Sequence, residues 1–380
     1  VAIENVKAED FGDCRVDLGL AVNAAIEEIK PDGGSIELPK YPTTLLTGIN
    51  DTNIQVPILF HGYGRAAPIS AKTTGHVTDY TGSTFHEFRD ILITGNSIAM
   101  PQTAFFLARD SDNRGGGRCI FKNIETMGHF SKSVIYGYGA ECLRFDAGCF
   151  FVNSEPGAKT ATFTRNNLMG LTSGYAAIAT GAQSNTEIRM IGTTVNNYGG
   201  ADSIGLYLHG VSGFSWEGGY SSVGGRAPIC LDGGGDPDLA CLDIGIRNIR
   251  TEANPTCKNL IYFKGGEGSV FQTIVLQNIS GHTEAFADGG RTIYSEDGSQ
   301  IIDANIDNIY EAGSQTFDLY SAQASLINSS LYDFYGRYSF PGNIIRVPSS
   351  ARLHLSRPEF DLTSAFFLAD QGIFWKPVAP

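Results

Sequence analysis

The stretch that decides the fold is IRNIRT, Ile246–Thr251, because it returns as LQNISG at 276–281 and as IDNIYE at 306–311. An earlier form, FKNIET, stands at 121–126. A second apolar stretch follows each frame: SVIYGYG (133–139), NLIYFKGG (259–266), RTIYSEDG (291–298) and FDLYSAQ (317–323). Less regular copies fill the gaps, namely AAIATG (176–181), IGLYLHG (204–210) and APICLDGGG (227–235). A repeat of about 20–32 residues made of short strands, Asn bends and Gly turns is the pattern of a solenoid. There is no room between the strands for crossover helices, which argues against βαβ units, and no LxxLxLxxN run argues for leucine-rich repeats. A parallel β-helix remains, each strand pairing with its copy on the next coil about 4.8 Å away.

Composition agrees. The 380 residues are 42% hydrophobic and only 18% charged, with 46 Gly, as expected for many short strands and tight turns. A formal net charge of −13 argues against nucleic acid or an anionic membrane as the main partner, since both require a basic face. It leaves sugars open. Seven Cys, with no CxxC and no zinc-ligand spacing, read as small core residues of a reducing compartment. No apolar run approaches 18 residues, so no membrane span is expected, and no signal peptide is visible.

One helix stands out. RVDLGLAVNAAIEEIK (15–30) places Leu18, Val22, Ile26 and Ile29 on one face, and Asp32-Gly33-Gly34 ends it. This divides the chain into a capping helix with first strands (1–87), β-helix repeats (88–330), and last rungs with a C-terminal cap or oligomer contact (331–380). The tail FFLADQGIFWKPVAP (366–380) suits that last role, because a solenoid must cover its final apolar rung.

AEDFGDCRVDLGLAVNAAIEEIKPDGGSIELP (8–39) resembles the opening segment of pectate-lyase-like right-handed β-helices, above all phage tailspikes and polysaccharide depolymerases. Asp10, Phe11, Gly12, Asp17, Gly33, Gly34 and Pro39 carry the match; the usual GDGxxDDT run is missing. FHGYGRAAPI (60–69) and GHFSKSVIYGYGAECLRFDAGCFFVN (128–153) are similar to tailspikes as well. The resemblance implies an all-β, right-handed parallel β-helix with a short N-terminal capping helix. It further implies a polysaccharide partner, a homotrimer, and a virion-tail or extracellular setting. Such folds also serve lyases, fructotransferases and binding proteins.

Alternation along each strand gives the register of the outer face. Ile204, Leu206 and Leu208 point inward, leaving Tyr207 and His209 outside. Ile229 and Leu231 point inward, leaving Cys230 and Asp232. Ile261 and Phe263 leave Tyr262 and Lys264; Ile293 and Ser295 leave Tyr294 and Glu296; Leu319 leaves Asp318 and Tyr320. Tyr136 and Tyr138 stand outside nearer the N-terminus. Two columns result: Tyr207, Cys230, Tyr262, Tyr294, Tyr320, and His209, Asp232, Lys264, Glu296. Tyr rings offer apolar faces and hydroxyls to sugars, although ladders of like residues also stabilise sheets with no ligand. Both readings stay open here.

Glycoside hydrolysis needs two carboxylates, and a separation of about 6.5–9.5 Å gives inversion. Asp232 and Glu296 lie two rungs apart, about 9.6 Å between backbones, and form the expected acid/base pair. Glu217 in WEGGY (216–220) is a further candidate acid. Tyr207, His209, Tyr262, Lys264, Tyr294 and Tyr320 are the expected sugar-binding residues. For a lyase, Lys264, His209 or Tyr262 would carry the proton. DGGGDPDLACLD (232–243) reads as a Gly-rich loop at the groove edge; no metal and no cofactor is assigned. The polar loop ARDSDNRGGG (108–117) reads as turn chemistry. DLGLAVNAAIEEIK (17–30) with GAECLRF (139–145) also resembles inulin fructotransferases, and a non-catalytic receptor-recognition spike is the remaining alternative.

Overall fold

The computed structural model describes residues 4–110, 116–164, 187–253, 257–283, 291–296 and 299–302, then 304–312 and short strands up to 369. AAIATG, Asp112, Tyr320 and most of the C-terminal tail lie outside the described residues. The chain is an all-β, right-handed parallel β-helix. The Asn-Ile frames build an 18-stranded sheet, and the second strand of each repeat builds a 12-stranded sheet. Successive frames stack in register, Ile246 on Leu276 on Ile306 and Ile249 on Ile279 on Ile309.

The Asn bends have a local cause. Asn123, Asn248 and Asn278 sit at φ +52°, +56° and +52°, the left-handed region that Asn tolerates better than most side chains. Each bend turns the long strand by leaving one residue out of the parallel ladder, which resumes in the same register on its far side. Stacked coils also stack their side chains: Phe60, Phe88, Phe121 and Phe145 form an interior column with centroids 5.1, 5.0 and 4.6 Å apart.

The helix Cys14–Ile29 caps the first coil, with Leu18, Val22, Ile26 and Ile29 buried as the spacing predicts. Asp13 accepts from the Arg15 N–H at 2.9 Å at its start, satisfying one of the orphan amides there. Gly33, at φ +78°, closes its end by donating to the Ile29 carbonyl at 2.8 Å. Asp17 breaks the helical path (φ −152°, ψ 104°) and accepts from the amides of Gly19 and Leu46 at 3.0 Å and Thr47 at 3.1 Å. Burial alone would raise its pKa, but the Thr47 hydroxyl and these amides outweigh it and hold the carboxyl below the usual range. Asp17 therefore staples the cap to the coil beneath.

All seven Cys are free, six of them buried and Cys142 half-buried. The register differs from expectation at two places. Tyr294 pairs with Asp318, so the column continues through Asp318 at that rung. Ile204, expected inside, packs with Tyr207, Ala227, Cys230 and Tyr262 in a second apolar cluster separate from the main core.

Candidate functional site

The expected columns exist on the outer face of the 12-stranded sheet. Tyr136, Thr162, Tyr207, Cys230, Tyr262 and Tyr294 follow one another in register. Beside them run Tyr138, Thr164, His209, Asp232 and Lys264. Glu296 extends this second column, its N–H on the Phe263 carbonyl at 3.0 Å.

The columns are not uniformly exposed, which corrects the picture of an open Tyr ladder. Cys230 and Tyr262 are fully buried, Tyr207 nearly so, and Asp232 is 3% exposed. They point away from the main core, but they cover one another. Asp232 Oδ2 accepts from the Tyr207 hydroxyl at 2.5 Å and from Lys264 Nζ at 2.6 Å, and Oδ1 accepts from the Gly234 N–H at 2.8 Å. Burial raises the pKa of Asp232, yet Lys264, Tyr207 and Gly234 together bring it below the usual carboxylate value. Its partner Lys264 moves up: burial works against its charge, but Asp232 prevails.

The arrangement repeats two rungs on. The Tyr262 hydroxyl donates to Glu296, whose other oxygen takes the Gly265 N–H at 2.8 Å. Arg226 Nη2 donates to the same hydroxyl at 3.1 Å, its guanidinium carbon 5.0 Å from the ring centre. Tyr262 stacks on Tyr294 at 5.5 Å and 11°. In both copies a Tyr of one rung donates to the carboxylate of the next, so each outward acid is held by a phenol and by a glycine amide. Both phenols are shifted upward, by burial first and by the neighbouring carboxylate second, and so act as donors.

Glycine is required in the loop after Asp232. A Cβ on Gly234, at φ +64°, would stand 2.8 Å from Leu239 Cδ1 and 2.9 Å from His209 Nε2. The loop thus lies flat over His209, and Leu239 becomes part of a wall.

The groove itself opens on the N-terminal side of this cluster. A cavity of about 510 Å³ is lined by Tyr136, Tyr138, Thr162, Thr164, Tyr207 and His209, with Lys132, Lys159 and Leu239 at its sides. Its size lies in the range of small-ligand sites, about 300–1,000 Å³. His209 is half-buried; burial first, then Lys264 and Lys159 against the opposing pull of Asp232, lowers its pKa and leaves the ring neutral near pH 7.

Of the expected residues, the structure gathers Tyr207, His209, Asp232, Lys264, Tyr262, Tyr294 and Glu296. Glu217 is not among them: it is exposed on the 18-stranded sheet and accepts from Asn248 Nδ2 at 2.5 Å. Arg109, in the expected turn loop, is buried and paired with Glu141. Lys132, Lys159, Thr162, Thr164 and Arg226 were not expected. The strand KTATFT (159–164) lacks an Asn-Ile frame, but its alternation of Thr with Ala161 and Phe163 was the available signal.

No family model matches the chain, and no curated protein matches it. Solved structures do. The PfbA surface adhesin of Streptococcus pneumoniae superposes with a TM-score of 0.60 at 8% identity, covering 98% of this chain and 93% of that one. A hyperthermoactive exopolygalacturonase from Thermotoga maritima gives 0.55 at 10% identity, covering 97% and 91%. A double mutant of the tailspike protein of E. coli bacteriophage HK620 gives 0.48 at 14% identity, covering 96% and 78%. The chain spans 61% of another match, ORF18 of Geobacillus virus E2. The chain shares the β-helix fold of the adhesin and the exopolygalacturonase. At such identities the likeness concerns the fold alone, and the fold hosts an adhesin as readily as a hydrolase.

Proposed function

We propose that the chain is a polysaccharide depolymerase that takes a bacterial surface or extracellular glycan along the outer face of the 12-stranded sheet and cleaves it by hydrolysis. The observation that carries this reading is the continuity of the Tyr- and Thr-lined groove with the rung holding Asp232, two rungs from Glu296. The rings of Tyr136, Tyr138 and Tyr207 support sugar faces. Asp232, kept ionised by its three donors, fits the role of base or charge stabiliser, not of proton donor. Glu296, which accepts from the Tyr262 hydroxyl and the Gly265 N–H but lacks the ammonium that Asp232 takes from Lys264, is the one of the two assigned as acid. A separation near two rungs, about 9.6 Å, favours inversion. Glu217 has no part in this pair. The homotrimer and the virion-tail or extracellular setting belong to the same proposal, and sedimentation of the intact chain tests the first.

Incubation with bacterial surface polysaccharides is the experiment. Shortened oligosaccharides are expected from the native chain, and Asp232→Asn and Glu296→Gln should each slow cleavage by a factor of about 10²–10⁴. Full activity in both variants would remove the assigned pair. Retention of glycan without shortening would replace the enzyme by a binding spike, the role for which the adhesin fold is a precedent.

One observation favours β-elimination as a second reading. His209, neutral near pH 7, lines the cavity, whereas neither Asp232 nor Glu296 does. A lyase using His209 as base would release an unsaturated, ultraviolet-absorbing product, and His209→Gln would abolish it.

A further inference from the structure

The groove is at odds with the charge of the molecule around it. The chain carries a net charge of −13, yet the cavity is bordered by Lys132, Lys159 and His209 and its lining includes no Asp or Glu among the described residues. Lys159 is half-buried, with its ammonium 4.6 Å from the centre of the Tyr207 ring. Lys264 lies 5.8 Å from the same ring, but Asp232 neutralises it at 2.6 Å. Lys159 has no carboxylate at ion-pair distance among the described residues. Burial first, and Lys264 second, press its pKa downward against the weaker pull of Asp232, and its charged form lacks the directly paired counter-charge that a shielded cation needs. In the same wall Thr162 Oγ1 and His209 Nε2 are buried with no hydrogen-bond partner among the described residues. Cationic, hydroxyl and aromatic groups thus converge with no acid to pair them.

We propose that the saccharide taken by this groove is acidic, a sugar bearing a carboxylate that sits against Lys159 and Lys132 while its ring lies against the tyrosines. The inference rests on the groove being the glycan site, and it adds the chemical class. A carboxylate arriving there supplies the missing counter-charge to Lys159 and makes a charge-assisted hydrogen bond. A neutral sugar can accept hydrogen bonds from the ammonium but brings it no counter-charge.

Retention of the intact chain on immobilised polygalacturonate, alginate, hyaluronate and polysialate, compared with dextran and galactan, tests this without any need for turnover. Polyphosphate serves as a sugar-free polyanion. At least one acidic polysaccharide should be retained and the neutral ones not. Raising salt from about 0.05 M to about 0.5 M should weaken retention, chiefly through the exposed Lys132 and less through the half-buried Lys159. Lys159→Gln and Lys132→Gln should each weaken it about tenfold, the loss of one charge-assisted contact, with Tm unchanged or raised for Lys159→Gln. Retention of no acidic polysaccharide overturns the proposal. So does equal retention on neutral polymers or on polyphosphate, or indifference to Lys159→Gln. Binding of an acidic glycan without cleavage keeps this inference and removes the depolymerase reading; cleavage of a neutral glycan does the reverse.

Discussion

The outer face of the 12-stranded sheet is hollowed into a cavity at the rungs of Tyr136 and Thr162, where the threonines form its buried floor, whereas at the rungs of Asp232 and Tyr262 the outward side chains cover one another, although both stretches have the same strand geometry and the same in–out alternation. Two differences account for it. In the closed stretch every outward acid finds a phenol from the preceding rung, and the Gly233–Gly235 loop lies low enough to cover His209. In the open stretch a rung of small side chains, Thr162 and Thr164, is set between the large ones of Tyr136/Tyr138 and Tyr207/His209. The groove is the space that the threonines do not fill. A β-helix therefore makes a site by varying side-chain size from rung to rung on an unchanged backbone.

Three substitutions test this contrast. The largest effect on stability is expected from Asp232→Asn, which takes the charge from between Lys264 and Tyr207. Hydrogen bonds to a charged group contribute about 1.5–3 kcal/mol, and the loss should appear in denaturant unfolding. Because the pKa of Asp232 is lowered in the folded chain, the native advantage over this variant should be complete above the unfolded value, near pH 4. It should vanish as pH falls through the lower folded value. An advantage that instead grew toward acid pH would mean that the carboxylate is not held by these donors.

Tyr262→Phe removes the hydroxyl shared by Arg226 and Glu296 but keeps the ring on Tyr294. It should cost about 1 kcal/mol and loosen Glu296. Unchanged unfolding would show that the second copy of the Tyr–carboxylate arrangement contributes no stability. The smallest stability effect is expected from Thr162→Tyr, within about 1 kcal/mol because the cavity receives the ring. Its effect on glycan retention should be the opposite, near-complete loss, since the gap between the large rungs is filled. Retention at the native level would place the glycan elsewhere.

Much of this was legible in the sequence. The recurrence of Asn-Ile at 248, 278 and 308 fixes the solenoid, since a bend in the left-handed region at the same place in successive coils, as at Asn248 and Asn278, lets each coil copy the last. The spacing of Leu18, Val22, Ile26 and Ile29 gives the cap. The pairings of Tyr207 with Cys230 and of Asp232 with Lys264 follow from strict alternation, because a parallel ladder carries register from rung to rung. The expected column departs from the structure after Tyr294, whose partner is Asp318, because the strand Phe317–Asp318 is only two residues long and alternation over so short a stretch cannot fix which residue is paired.

The sequence by itself determined the coil, the direction of most side chains, Ile204 excepted, and the outward columns as far as Tyr294, all of which depend on contacts between neighbouring residues and a constant rise per rung. Only the tertiary structure decided which outward residues meet solvent. That depends on whether Tyr207 reaches Asp232 one coil away, on whether a loop with glycine at 234 can lie against His209, and on what stands one rung above and below Thr162. Those contacts join residues about 25–45 positions apart in sequence through side chains of different length, and alternation, which records only in and out, holds no information about height.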